Sequence, residues 1–92
     1  MGYNFEWDPA KGQSNLQKHG VTFDEACTVF ADPLAMLVPD PDHSVVEERH
    51  ILLGVSARRR LLVVAFAERP SCTRLISARV ATRKERMDYE ED

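Results

Sequence analysis

Leu61-Leu62-Val63-Val64-Ala65-Phe66 decides the fold: six consecutive apolar residues, extended by Ala67 and closed by Glu68-Arg69-Pro70. The run is short, rich in Leu and Val, and bounded by turn formers, which suits a strand better than a helix. It offers no polar face to water, so it belongs at the centre of a sheet and covered on both sides. Its neighbours in the chain extend that sheet. His50 to Val55 precedes it across Ser56-Ala57-Arg58-Arg59-Arg60, and Cys72 to Val80 follows it across Glu68-Arg69-Pro70-Ser71. Connections this short join antiparallel strands. Leu34 to Val38 reads as a fourth strand, separated by the acidic loop Pro39 to Glu48.

Further out the period changes to that of helices. Asp8-Pro9 supplies an N-cap and a residue suited to the first helical position, so a helix is expected from Pro9 to about His19, with Gly20 as its stop. On it Lys11, Asn15 and Lys18 are spaced i, i+4, i+7 and share a face. Thr22-Phe23-Asp24-Glu25 is a capping box, and Phe23, Ala26, Cys27 and Phe30 then form an apolar stripe that should end near Asp32-Pro33. Thr82-Arg83-Lys84-Glu85 is a second capping box, opening a last helix that runs to the acidic tail. Tyr3 to Trp7, with aromatic residues at 3, 5 and 7, reads as a first strand. The expected order is β-α-α-β-β-β-β-α: one α+β domain over residues 1–92, in two layers, with an antiparallel sheet packed against an N-terminal helix pair and a C-terminal helix.

The charge is unevenly placed. The net charge of −3 hides a stretch, residues 49–86, with ten of the twelve basic residues and two acids, a formal +8. Residues 1–48 carry −7 and residues 87–92 carry −4. If the fold gathers those guanidinium groups on one surface, that surface attracts phosphate: nucleic acid first, an acidic protein partner second. The second helix is acidic and carries no Lys or Arg, which argues against a helix-turn-helix reader of DNA. No apolar run approaches a membrane span, and the N-terminal residues look like neither a secretory signal nor a myristoylation site. Cys27 and Cys72 read as reduced thiols of a cytoplasmic protein, and no CxxC or HExxH suggests a metal site.

Two patterns, WDxxKxxxNxxKHG over Trp7 to Gly20 and ISARxATxxE over Ile76 to Glu85, are specific in combination. With Phe5-Glu6, Phe23, Glu25-Ala26, Phe30-Ala31-Asp32-Pro33, Glu48-Arg49, Gly54 and Arg86 to Tyr89, they span nearly the whole chain. On these residues the chain resembles the BrnT toxins of bacterial type II toxin–antitoxin systems. The resemblance implies a RelE-like fold, metal-independent RNA cleavage with no cofactor, and inhibition of translation and growth. It also implies a BrnA-type antitoxin with a ribbon-helix-helix DNA-binding domain, which neutralises the toxin in a hetero-oligomer and carries it to operator DNA.

A metal-free ribonuclease must deprotonate the 2′-hydroxyl, stabilise the pentacoordinate phosphate and protonate the leaving 5′-oxygen. Arg79, near the strand–helix junction, suits the phosphate role; its structural alternative is an ion pair with Glu85 or Asp88. Strict alternation would put it on one face with Leu75 and Ser77. His19 is either the proton carrier or a helix C-cap, and Lys18 beside it either a phosphate ligand or a solvated helix face. Glu85 is a helix cap and a candidate general base. Lys11, Arg49 and the hairpin tip Arg58, Arg59 and Arg60 are candidate RNA contacts, and Tyr89 either stacks on a base or closes the core. Trp7 and Cys27 read as core. A non-catalytic module that docks an acidic partner through the arginines is the competing function.

Overall fold

The computed structural model describes residues 4–38 and 49–90. Strand β4, Leu61–Glu68, is the middle of a five-stranded sheet of order β1-β5-β4-β3-β2, and every residue of it but Glu68 is buried. β3, His50–Val55, and β5, Thr73–Val80, flank it antiparallel, and β2, Met36–Val38, pairs antiparallel with β3. The apolar run thus sits where its two water-free faces require. The sheet is nonetheless mixed rather than purely antiparallel. The two-residue β1, Phe5–Glu6, lies parallel to β5, with Phe5 opposite Thr73 and Glu6 opposite Arg74. No hairpin joins these strands, so local turn chemistry cannot set their direction. Tyr3 and the loop 39–48 lie outside the described residues.

The helix boundaries follow local chemistry. α1 spans Pro9–His19; the Asp8 carboxylate accepts from the Ala10 N–H at 2.9 Å, and Gly20, at φ 70°, donates to the Leu16 carbonyl at 2.8 Å. α2 spans Phe23–Thr28, with the Thr22 hydroxyl accepting from the Glu25 N–H at 3.0 Å, and tightens into a 3-10 turn at Val29–Ala31. Only half of that capping box forms, because the Glu25 carboxylate turns elsewhere. Val21, Phe23, Ala26 and Val29 pack on Leu52, Leu62, Val64, Phe66, Leu75 and Ala78 as the main core. Phe30 bridges Phe5 and Phe66, each at 5.0 Å between centroids, and Trp7 meets Phe23 edge-on at 5.7 Å. Cys27 packs against the same core, where burial pushes its thiol up to about 11.

One irregularity reorients β5. Ala65 stands opposite Ser77 but Phe66 opposite Leu75, so Ile76 is a bulge residue. The bulge breaks the expected alternation: Leu75 and Ala78 both enter the main core, and Arg79, opposite Val63, faces the other side of the sheet. That second face carries Leu53, Leu61 and Val63, with Met36, Ile51, Val55, Ala81 and Tyr89 packed round them.

Helix α3, Arg83–Glu90, sets Tyr89 against this second face, so the C-terminal helix packs on the sheet as expected, on the side away from the N-terminal pair. An eight-residue helix with no buried residue is marginal by itself. Polar ties hold it. The Thr82 capping box is complete here: Thr82 N–H donates to Glu85 Oε1 at 2.8 Å, and Glu85 N–H to Thr82 Oγ at 3.2 Å. At its far end the Tyr89 hydroxyl donates to Asp32 Oδ2 at 2.7 Å. Asp32 also accepts from the Val55 N–H, an approach made possible by Gly54, where a Cβ would lie 2.8 Å from that of Ala35.

Candidate functional site

Asn15 is the residue on which the site is built. Asn is a poor helix former, and mid-helix it needs a partner outside the helix. It is buried, and its Nδ2 donates to the carbonyls of Val21 at 2.9 Å and Ala78 at 2.8 Å, while its Oδ1 accepts from the Ala78 N–H at 3.0 Å. The amide side chain therefore does for Ala78 what a neighbouring strand would do. β1 pairs with β5 only at Thr73 and Arg74, and among the described residues no strand pairs with the outer edge of β5 beyond them. Asn15 docks α1 along that edge. The sequence grouped Asn15 with Lys11 and Lys18 on one face but did not single it out; an Asn at a half-buried helical register was the available signal.

The docking creates a hollow of about 330 Å³ lined by Lys11, Ser14, Asn15, Lys18, His19, Ile76 and Ser77. The α1 residues fall on one helix face, and Ile76 and Ser77 are the bulge and its neighbour. Lys11, Lys18 and His19 are thus brought together. Arg79 stands one residue past Ala78 but on the opposite sheet face, toward α3. There its guanidinium meets Glu85 end-on, Nη1 to Oε1 at 2.9 Å and Nη2 to Oε2 at 2.8 Å. Lys11, Lys18 and His19 therefore lie on one side of the strand edge and Arg79 on the other, outside the hollow.

The Arg79 hydrogen bonds hold the Glu85 carboxyl at about 2, with Thr82 adding to the effect against the cost of burial. Both its oxygens accept from the Arg79 guanidinium, a pairing that favours the ionised carboxylate and works against the candidate role as a base. A carboxylate held below its ordinary value of 4.5 stabilises the fold above that value. Its contribution should disappear as pH falls from about 4.5 toward about 2. Urea unfolding of wild type and Glu85→Gln should show a stability gap that closes across this window. A gap that persists unchanged at the acid end would show that the carboxylate charge is not what stabilises the junction.

The hairpin tip departs from expectation. Arg60 is not a solvated guanidinium: its Nε donates to Glu25 Oε2 at 2.9 Å, and its Nη2 to Glu25 Oε1 and to the Gly20 carbonyl. Ser56, itself buried, donates its hydroxyl to Glu25 Oε2 at 2.7 Å. The Arg60 pairing keeps the buried Glu25 carboxyl below its usual range despite desolvation. Arg58 is 72 % exposed and 4.0 Å from Glu25, and Arg59 turns the tip at φ 66°. The basic segment is also less concentrated than its charge suggests, since Arg74 pairs with Glu6 at 2.8 Å and Arg86 with Glu90 at 3.9 Å. Arg49 is half-buried immediately before β3. Tyr89 packs on the second face and donates to Asp32, which pushes its hydroxyl up to about 12; this is a core-closing position rather than a base-stacking one.

Three comparisons bear on this arrangement. A family model described as the ribonuclease toxin BrnT of type II toxin–antitoxin systems matches residues 7–85, from Trp7 to the Glu85 that holds Arg79. The crystal structure of the Brucella abortus ribonuclease toxin BrnT, at 1.1 Å resolution, superposes with a TM-score of 0.69 at 26 % identity, covering 88 % of this chain and 99 % of that one. Comparison with curated proteins gives no significant match. No helix among the described residues is long and apolar enough to cross a membrane.

Proposed function

Because this chain belongs to the BrnT family of ribonuclease toxins of type II toxin–antitoxin systems, we propose that it cleaves RNA without a metal ion, along the outer edge of β5. What supports the reading is the placement of side chains on either side of that edge: Lys11, Lys18 and His19 in the hollow, and Arg79 beyond it. In the proposed step the 2′-hydroxyl loses its proton and its oxygen attacks phosphorus. The bond to the 5′-oxygen breaks, leaving a 2′,3′-cyclic phosphate and, after protonation, a 5′-hydroxyl. Imidazole has one nitrogen that accepts a proton and one that donates, which suits His19 to carry one of these protons. Arg79 stabilises the phosphorane charge, since its fork stays ionised and matches two phosphate oxygens. Lys11 and Lys18 hold the adjacent backbone.

Arg58 and Arg59, exposed at the hairpin tip, extend the phosphate contacts or serve the antitoxin. The type II family implies an antitoxin partner. In the proposed cell setting it is of the BrnA type, a ribbon-helix-helix protein forming a small hetero-oligomer with the toxin in the cytoplasm. Complementary charge would speed that association and occupy the same cations.

Purified protein should cut total RNA in the presence of EDTA. Binding to a single-stranded RNA in a cleavage-blocked form should weaken with salt, with a log–log slope of about −2 to −3 for three or four phosphate contacts. A strict requirement for Mg²⁺, or affinity flat in salt, would overturn the reading. Binding without any cleavage would favour the non-catalytic module.

A further inference from the structure

The geometry points to Glu85 as a positioning residue that holds the Arg79 guanidinium by one edge and leaves a second edge for phosphate. This rests on the reading of Arg79 as the phosphate-binding group. A guanidinium has five N–H donors arranged along its edges. Glu85 takes the end-on edge, one proton each from Nη1 and Nη2. A second Nη1 proton is directed toward the Val80 carbonyl at 3.4 Å, a long contact. The remaining edge, Nε with the outer proton of Nη2, has no hydrogen-bond partner among the described residues. Nor is Nε among their fully buried polar atoms without a partner, so this edge is not sealed inside the protein. The side chains of Arg79 and Glu85 are 41 % and 29 % exposed. An RNA phosphate can therefore take the open edge while the carboxylate keeps the other.

Glu85 is suited to hold because it is itself held. Its Oε1 accepts from the Thr82 backbone N–H at the same time as from Arg79. The carboxylate is fixed by the first turn of α3, and the arginine by the carboxylate. An unrestrained arginine loses much rotamer freedom when it binds; a restrained one has lost it already. Two other roles fit less well. A general base must take up a proton readily, whereas both oxygens of this carboxylate accept from a guanidinium, which favours its ionised form. A competitor for RNA would block the edge that phosphate uses, whereas an edge is left open.

The test is steady-state cleavage of an RNA oligonucleotide with one cut site by Glu85→Gln, Arg79→Ala, the double variant and Thr82→Ala. Gln is accepted at the third position of a capping box, so the helix start survives. Glu85→Gln should lower kcat by on the order of tenfold to a hundredfold, with KM nearly unchanged and both limbs of the pH profile retained. The double variant should be no slower than Arg79→Ala. Thr82→Ala, which removes the cap hydroxyl but keeps the N–H that Glu85 accepts from, should stay near wild type. Loss of the acid limb in Glu85→Gln would make Glu85 the base, and a gain in rate or affinity would make it a competitor; either overturns the inference. So would equal losses in Thr82→Ala and Glu85→Gln, which would reduce the effect to helix capping. If Arg79→Ala itself cleaves at the wild-type rate, the underlying reading of Arg79 fails, whatever Glu85→Gln does.

Discussion

Arg79→Ala should abolish growth arrest on induced expression and slow RNA cleavage by on the order of 10²–10³-fold, with the fold intact. The magnitude is that of losing one preorganised donor to a developing oxyanion. Preorganisation here has a visible source: the strand ends one residue later, α3 begins at Arg83, and Glu85 on its first turn grips the guanidinium through two bonds. Arg79→Lys should recover only part of the loss. An ammonium keeps the charge but cannot hold a carboxylate along one edge and a phosphate along another. Circular dichroism and thermal unfolding serve as controls, because α3 loses one tie in either variant while keeping Tyr89 on Asp32. A folded Arg79→Ala protein that still arrests growth would remove Arg79 from the site and leave the α1 hollow to carry the reaction.

The parts of this fold that were legible in the sequence are those fixed by local chemistry. Six apolar residues in a row between turn formers favour a central strand over a helix, and Asp8-Pro9, Gly20, Thr22 and Thr82 mark helix ends by satisfying backbone groups within a turn. What was not legible depends on partners far away in the chain. The parallel seating of β1 on β5 has no turn to announce it. The bulge at Ile76 shifts Arg79 to the α3 face through a mismatch with β4, not through anything in its own strand. Glu25 was read as a capping-box acid because Thr22 stands three residues before it. The alternative partner, Arg60, is 35 residues away, and a guanidinium outcompetes a backbone N–H for a buried carboxylate. The same limit applies to the site. The i, i+4, i+7 spacing correctly put Lys11 and Lys18 on one face, while the hollow between them and β5 exists only because Asn15 reaches Ala78.

Arg60→Ala should destabilise the protein by about 2–4 kcal/mol, far more than any other change at the hairpin tip. Breaking a buried pair from one side leaves an uncompensated charge, and the Glu25 side chain is 3 % exposed. The figure is set below the full cost of a buried pair because the Arg60 side chain is 34 % exposed, which lets water screen part of the interaction. Three elements loosen together: the β3–β4 turn, the start of α2, and the C-cap of α1 through the Gly20 carbonyl. Arg60→Glu should be worse, setting a second carboxylate against Glu25. Arg59→Glu should change stability by only about 0.5 kcal/mol, as surface substitutions do, while slowing association with an acidic or charge-complementary antitoxin segment at low salt. A tip with all three arginines reversed would mix the two effects, so the partner surface must be tested with Arg60 left in place. Urea unfolding midpoints distinguish the cases. If Arg60→Ala unfolds at the wild-type midpoint, the Glu25 cluster is not the tie that fixes the hairpin against the helices.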